Sequence, residues 1–246
     1  MNVAHFIWFQ GTPPAKYITT INNFQMKNPN FNINIWSEKT LLPLLNRNHI
    51  FYNSIKKCKY MIQKIDIYKY IVLFYFGGIY LDLDINIEAS FTNNFLNDLN
   101  QYDLVFSKIK MIEYLPINLI NNGIIFGKKG SPLLLKIVED INWDQPFYKT
   151  KDWIVLDTAG PLYVTRWCKE NNIQTIDQKY VEGRPLFYIF NSDYKGIFIT
   201  HLHHNNWMDS YLYLAVLFIN YSLYTIIFIC ILYLLYNLQK IRNNFR

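Results

Sequence analysis

The sequence predicts an α/β domain followed by a single transmembrane helix. Three observations predict it: apolar segments of helical and strand period alternate along the chain, one strand closes on a pair of acids, and the stretch from Ser210 to Gln239 carries no charge. Open α/β sheets place ligands beyond the carboxyl ends of their strands, so the acid pair marks the candidate site.

Strands are predicted at 3–9, 32–36, 79–83, 103–107, 123–127 and 197–202, and helices at 60–76, 131–141 and 160–171. The first strand is rich in Val, Phe and Ile. The helix at 60–76 carries Met61, Ile65, Tyr68, Val72, Leu73 and Phe76 at the spacing of one face packed on a core, and Gly77 stands at the place of its C-terminal cap. Asp66 and Lys69 fall on one side of that helix, where they form either a surface ion pair or part of a site. In the following strand Ile79, Leu81 and Leu83 are expected to face a core, while Tyr80, Asp82 and Asp84 share the other face and look into one cavity. Asn122-Gly123 reads either as a turn or as a site asparagine. Thr158 and Pro161 are ordinary helix-start signals.

Two carboxylates one residue apart suit Mn²⁺ or Mg²⁺, which take carboxylate and phosphate oxygens. The chain has five histidines, and His201, His203 and His204 follow the apolar strand Gly196–Thr200. Imidazole is a common metal ligand, so His201, then His203, are the candidate additional ligands.

Composition limits the alternatives. With 246 residues, 51% apolar and 18% aromatic, there is room for one folded domain and a tail. Net charge is +6, three of it from Lys240, Arg242 and Arg246 at the end, so no nucleic-acid surface is indicated. Cys58, Cys168 and Cys230 are widely spaced and odd in number, which supports neither a disulfide framework nor a zinc motif. The expected organisation is a catalytic domain over 1–209, a transmembrane helix over 210–239 and a basic tail over 240–246. A buried core helix is the other reading of the apolar run. A single-pass protein of the Golgi or another endomembrane is expected, with either orientation open, since the basic tail favours a lumenal domain and the N-terminus carries no signal peptide.

The ungapped run Asp66-Ile-Tyr-Lys69-Tyr70-Ile-Val-Leu-Phe-Tyr-Phe-Gly77-Gly78-Ile-Tyr80-Leu-Asp82-Leu-Asp84 resembles the core signature of the family 32 glycosyltransferases, which contain an Asp-x-Asp sugar-binding region. The family usually has Arg at the position of Lys69 and Ala-Ser where this chain has Gln63-Lys64-Ile65. Ala4-His5-Phe6-Ile7-Trp8 with Pro13-Pro14, Asn122-Gly-Ile-Ile-Phe-Gly127, and Thr158-Ala-Gly160-Pro161 follow in the family's order. His201-Leu-His203-His204-Asn-Asn-Trp207 is similar to the closing segment, most of all to that of fungal inositol-phosphoceramide mannosyltransferases. The resemblance implies a GT-A nucleotide-sugar fold, a mixed sheet flanked by helices. It implies catalytic Asp82 and Asp84, a Mn²⁺ or Mg²⁺ ion on Asp82, Asp84, His201 and His203, and substrate contacts from Trp8, Asp66, Lys69, Tyr80, Asn122 and Trp207. The expected reaction is retaining hexosyl transfer, mannose favoured, from a nucleotide sugar to a membrane lipid or glycan. A phosphatase of the haloacid dehalogenase type also begins with Asp-x-Asp, but the acidic pair Glu139-Asp140 lies on a predicted helix where that class wants a loop. An inactive membrane-tethered sugar-binding protein is the third class.

Overall fold

The computed structural model describes residues 2–110, 118–183, 195–202, 218, 222 and 225–235. In chain order these form β1 (Val3–Ile7), α1 (Ala15–Lys27), β2 (Asn32–Trp36), α2 (Glu38–Leu45), α3 (His49–Lys57), α4 (Met61–Phe76), β3 (Gly78–Leu81), β4 (Ile85–Ile87), α5 (Asn93–Asn100), β5 (Leu104–Lys110), β6 (Asn118–Gly127), α6 (Pro132–Glu139), α7 (Lys151–Thr158), α8 (Pro161–Glu170), β7 (Gln174–Thr175), β8 (Val181–Gly183) and β9 (Ile199–His201). The main sheet runs β2-β1-β3-β6-β5-β7, and a small sheet runs β4-β9-β8. β1 is parallel to β2 and β3, whereas β6 is antiparallel to β3 and β5, which makes the sheet mixed.

Helices cover the sheet on both faces, so its inner strands β1, β3 and β6 are buried on both sides, while β2 at the edge is partly exposed. One core joins Tyr80, Phe106 and Ile125 to α4, α6 and α8 through Tyr70, Ile71, Leu134, Ile137, Val164 and Trp167. The other joins Ile79, Leu81, Val105, Ile124 and Phe126 to α1 through Ile21 and Phe24, and to Phe91, Phe95 and Phe198. Tyr80 therefore belongs to a core as much as Ile79 does, against the expected division into one buried and one open face. The expected strand also ends early, at Leu81, so Asp82 and Asp84 lie on the bend that follows.

The helix α4 is more deeply set than a one-faced helix. Every residue from Asp66 to Leu73 is buried, while the predicted face residues Met61 and Phe76 are exposed at its ends. Gly77 caps it at φ 66°, and its N–H donates to the Leu73 carbonyl at 2.7 Å. Gly78 follows at φ 105°, and a Cβ there would lie 2.2 Å from the Val3 carbonyl oxygen, so β1 and β3 approach over a bare backbone. This pair of glycines turns the chain directly from helix into strand and delivers the acids to the sheet's edge.

Among the described residues no helix is long and apolar enough to cross a membrane. That finding overturns the expected transmembrane helix and the single-pass endomembrane localisation drawn from it. The continuous helical residues described in the apolar run, 225–235, extend about 16 Å at ~1.5 Å per residue, against a hydrocarbon core of ~30 Å. Apart from residues 218 and 222, the rest of the predicted span and the tail at 240–246 lie outside the described residues.

Candidate active site

The acids meet a histidine through two strand pairings that join distant parts of the chain. β3 pairs with β6, and the N–H of Asp82 donates to the Gly123 carbonyl at 2.7 Å just past the end of β3. β4 pairs antiparallel with β9 in the register Ile85 to His201, and the Leu202 N–H donates to the Asp84 carbonyl at 2.9 Å. His201 Nε2 consequently lies 3.9 Å from Asp82 Oδ2 and 3.7 Å from Asp84 Oδ1. One ligand atom from each of the three side chains falls within 4.8 Å of the others, which is a group able to hold a metal ion. Two carboxylates and one imidazole are a donor set that a divalent cation can use.

The strand β6 is shaped to leave that space open. Its register against β5 jumps between Phe106, opposite Ile125, and Ser107, opposite Asn121, so residues 122–124 bulge. Bulges re-aim side chains beside sites. Here Asn122 is sent inward, donating to Asp66 Oδ1 at 2.9 Å and to the Ala159 carbonyl at 3.2 Å. Gly123 presents no side chain to the metal group.

Behind the acids lies a buried charged network. Lys69 Nζ sits 2.9 Å from Asp66 Oδ1 and 3.3 Å from Asp82 Oδ1, with the Lys69 side chain 3% exposed. The Tyr80 hydroxyl donates to the same Asp82 Oδ1 at 2.7 Å, and the ammonium stands 5.1 Å from the Tyr80 ring centre. Asp82 thus has one oxygen held by Lys69 and Tyr80 while the other faces His201. Burial would raise the Asp82 carboxyl, but Lys69, His201 and Tyr80 together hold it at about 2. Burial instead dominates at Asp66, which is pushed up to about 6 against the pull of Lys69 and Asn122. Burial would lower His201, yet Asp82 and Asp84 outweigh it and raise its pKa. Lys69 is raised for the same reason, its burial outweighed by Asp66 and Asp82.

The predicted surface ion pair is therefore a buried one, and Lys69 points at two carboxylates of its own chain. Trp8 lies just past β1, its ring 5.2 Å from that of Tyr17, and the parallel pairing of β1 with β3 carries it to the same edge of the sheet as the acids. His203 and Trp207 lie outside the described residues. Thr158 ends α7 and Gly160 caps α8, so Thr158 is not the start signal it resembles. Its hydroxyl accepts from Gln63 Nε2 at 2.7 Å, while Gln63 Oε1 accepts the N–H groups of Lys59 and Tyr60. Gln63 and Gly123 are the supporting residues that sequence reasoning missed. The apolar run Ile124-Ile125-Phe126 directly after Gly123 is the signal that favours a strand there over a turn.

The site is thus a mixed α/β sheet with an Asp-x-Asp just past a strand end, backed by a buried lysine and closed by a histidine, and the comparisons with known proteins fall on the same motif. Residues 14–105 match the family model "Glycosyltransferase sugar-binding region containing DXD motif", which bears out the resemblance drawn from the motif. The chain is 26% identical over 174 residues to inositol phosphoceramide mannosyltransferase 1 of Schizosaccharomyces pombe, covering 68% of this chain and 51% of that protein. Against inositol phosphoceramide mannosyltransferase 3 of the same yeast the figures are 24% over 164 residues, 66% of this chain and 43% of that protein. The chain thus spans about half the length of these relatives. Among solved structures it resembles the PaToxG glycosyltransferase, with a TM-score of 0.48, 21% identity and 69% of each chain covered.

Proposed function

We propose that the chain transfers a hexose, mannose favoured, from a nucleoside diphosphate sugar to a lipid or glycan hydroxyl, with a divalent cation at Asp82, Asp84 and His201. The observation that carries this reading is the convergence of those three side chains, two from the bend between β3 and β4 and one from β9. A Mn²⁺ or Mg²⁺ ion bound there supplies positive charge to the departing diphosphate.

The chain's own residues supply the rest. Asp82, held ionised by Lys69 and oriented by Tyr80, offers its second oxygen at fixed geometry. Asn122 and Asp66 lock each other and the Ala159 turn, so the wall beside the acids is rigid before any substrate arrives. In the reaction the bond between the anomeric carbon and the phosphate oxygen breaks and a bond to the acceptor oxygen forms. The acceptor's proton passes to the departing phosphate, which needs no carboxylate nucleophile and retains configuration. The names of the yeast relatives support mannose and a phosphoceramide-type acceptor.

The test is a hydrolysis and transfer screen of nucleotide sugars with Mn²⁺, repeated in EDTA. Turnover of GDP-mannose that EDTA abolishes is the expected result. Undiminished turnover in EDTA would overturn the metal role, and phosphate release from p-nitrophenyl phosphate without any nucleotide would favour the phosphatase reading.

A further inference from the structure

We propose that Gly123 is the positioning residue that makes the cation site possible, because the site's volume is the volume of its missing side chain. The inference rests on the cation reading of the preceding subsection. A Cβ built on Gly123 would lie 2.6 Å from His201 Nε2 and 2.7 Å from Asp82 Oδ2, the same two atoms that face the cation. Ordinary carbon contacts lie at about 3.5 Å or more, so a methyl there must push both atoms away by several tenths of an ångström. Metal–ligand distances tolerate only about 0.2 Å.

Three further features locate the effect in the side chains. Gly123 has no positive φ, in contrast to Gly77 and Gly78, so its backbone accepts an L-residue without strain. The nearest atoms to the added Cβ belong to side chains rather than backbone, so the chain can move them and still fold. Its backbone already serves the site, with the carbonyl accepting from the Asp82 N–H and its own N–H donating to Asn121 Oδ1 at 2.9 Å. Gly123 therefore holds Asp82 by its main chain and clears space for the Asp82 carboxylate and the His201 ring by lacking a side chain.

The experiment is Mn²⁺ titration, by calorimetry or by loss of the free-ion EPR signal, on wild type, Gly123→Ala, His201→Ala and the double variant, with thermal melting of each in EDTA. Gly123→Ala is expected to melt within a few degrees of wild type and to bind Mn²⁺ at least about tenfold more weakly, the scale on which supporting residues act on metal sites. In the His201→Ala background the ring contact is gone and Asp82 Oδ2 can shift away from the added methyl into the space the ring has left, so the effect of the methyl on affinity should shrink to a few-fold. Gly123→Ala that is folded and binds Mn²⁺ within twofold of wild type overturns the proposal, and so does an undiminished effect in the His201→Ala background. If Gly123→Ala fails to fold, the double variant should recover folding, and its failure to do so overturns the proposal too. A wild-type chain that binds no Mn²⁺ defeats the cation reading itself; wild type and Gly123→Ala binding alike defeats only the role of Gly123.

Discussion

Trp36 donates its indole N–H to Nδ1 of His5 at 3.0 Å, and this one bond decides the state of the imidazole. An indole nitrogen is only a donor, so Nδ1 must be the acceptor and the ring's proton sits on Nε2. That nitrogen lies 2.8 Å from the carbonyl of Gly77, the cap from which the acid-bearing strand starts. His5 thereby ties β1, β2 and the helix-to-strand corner together as a neutral ring with no exposed surface.

Acid should loosen this tie. Burial, opposed only by the Gly77 hydrogen bond, lowers His5 from 6.5 to about 4. The unfolded chain takes up the proton first, so the contribution is complete above pH 6.5 and is lost as pH falls towards 4. At ~1.4 kcal/mol per pKa unit the loss is on the order of 3 kcal/mol. Urea denaturation at about pH 7 and pH 4.5 should show wild type losing more stability than His5→Gln by about 2 kcal/mol, the larger part of that amount. Equal losses in the two proteins would remove His5 from the acid response.

Asp84→Asn should abolish metal-dependent turnover while leaving the fold in place. The tie between the bend and β9 runs from the Leu202 N–H to the Asp84 main-chain carbonyl, which an amide side chain does not disturb. What is lost is one negative charge in the metal group, and a deficit of several kcal/mol in the barrier corresponds to a rate about 10²–10⁴ lower. Matching circular dichroism and melting, with turnover close to wild type, would refute the assignment of Asp84.

The sequence carried local information well and non-local information poorly. The acid pair, its glycines and the helix before them were legible because helix period, cap and strand stand side by side in the chain, and β2 was found with its observed bounds. The helix α1 was missed because Tyr17, Ile21 and Phe24 are its only buried residues among many Asn and Thr. Burial of Asp66 and Lys69 was not legible, since a spacing of three on a helix looks the same whether water or α7 lies opposite. His201 was named from composition and resemblance, but its position rests on β4 pairing with β9 across more than a hundred residues. The bulge in β6 depends on the facing strand and cannot be read from Asn122-Gly123 alone. The transmembrane expectation came from composition over 210–239, where no described helix reaches the needed length.

Lys69 should prove as much a stability residue as a site residue. Among the described residues it is the one cation within ion-pair distance of both Asp66 and Asp82, and its side chain is almost wholly buried. Replacing it by Met keeps the stem's packing and removes the charge, leaving two carboxylates facing each other in the interior. Breaking a buried pair from one side costs about 3–5 kcal/mol, because the remaining charge is uncompensated. Lys69→Met is therefore expected to lower the denaturation midpoint sharply, and to raise the pKa of Asp82 by removing the leading cause of its depression. Adding Asp66→Asn should restore part of the loss, since the amide needs no counter-charge and its oxygen can still accept from Asn122 Nδ2. Such a rescue separates the electrostatic account from simple loss of packing, which a second substitution at Asp66 would only deepen. A Lys69→Met chain as stable as wild type, or a double variant less stable than the single one, would show that the ammonium does not hold this network together.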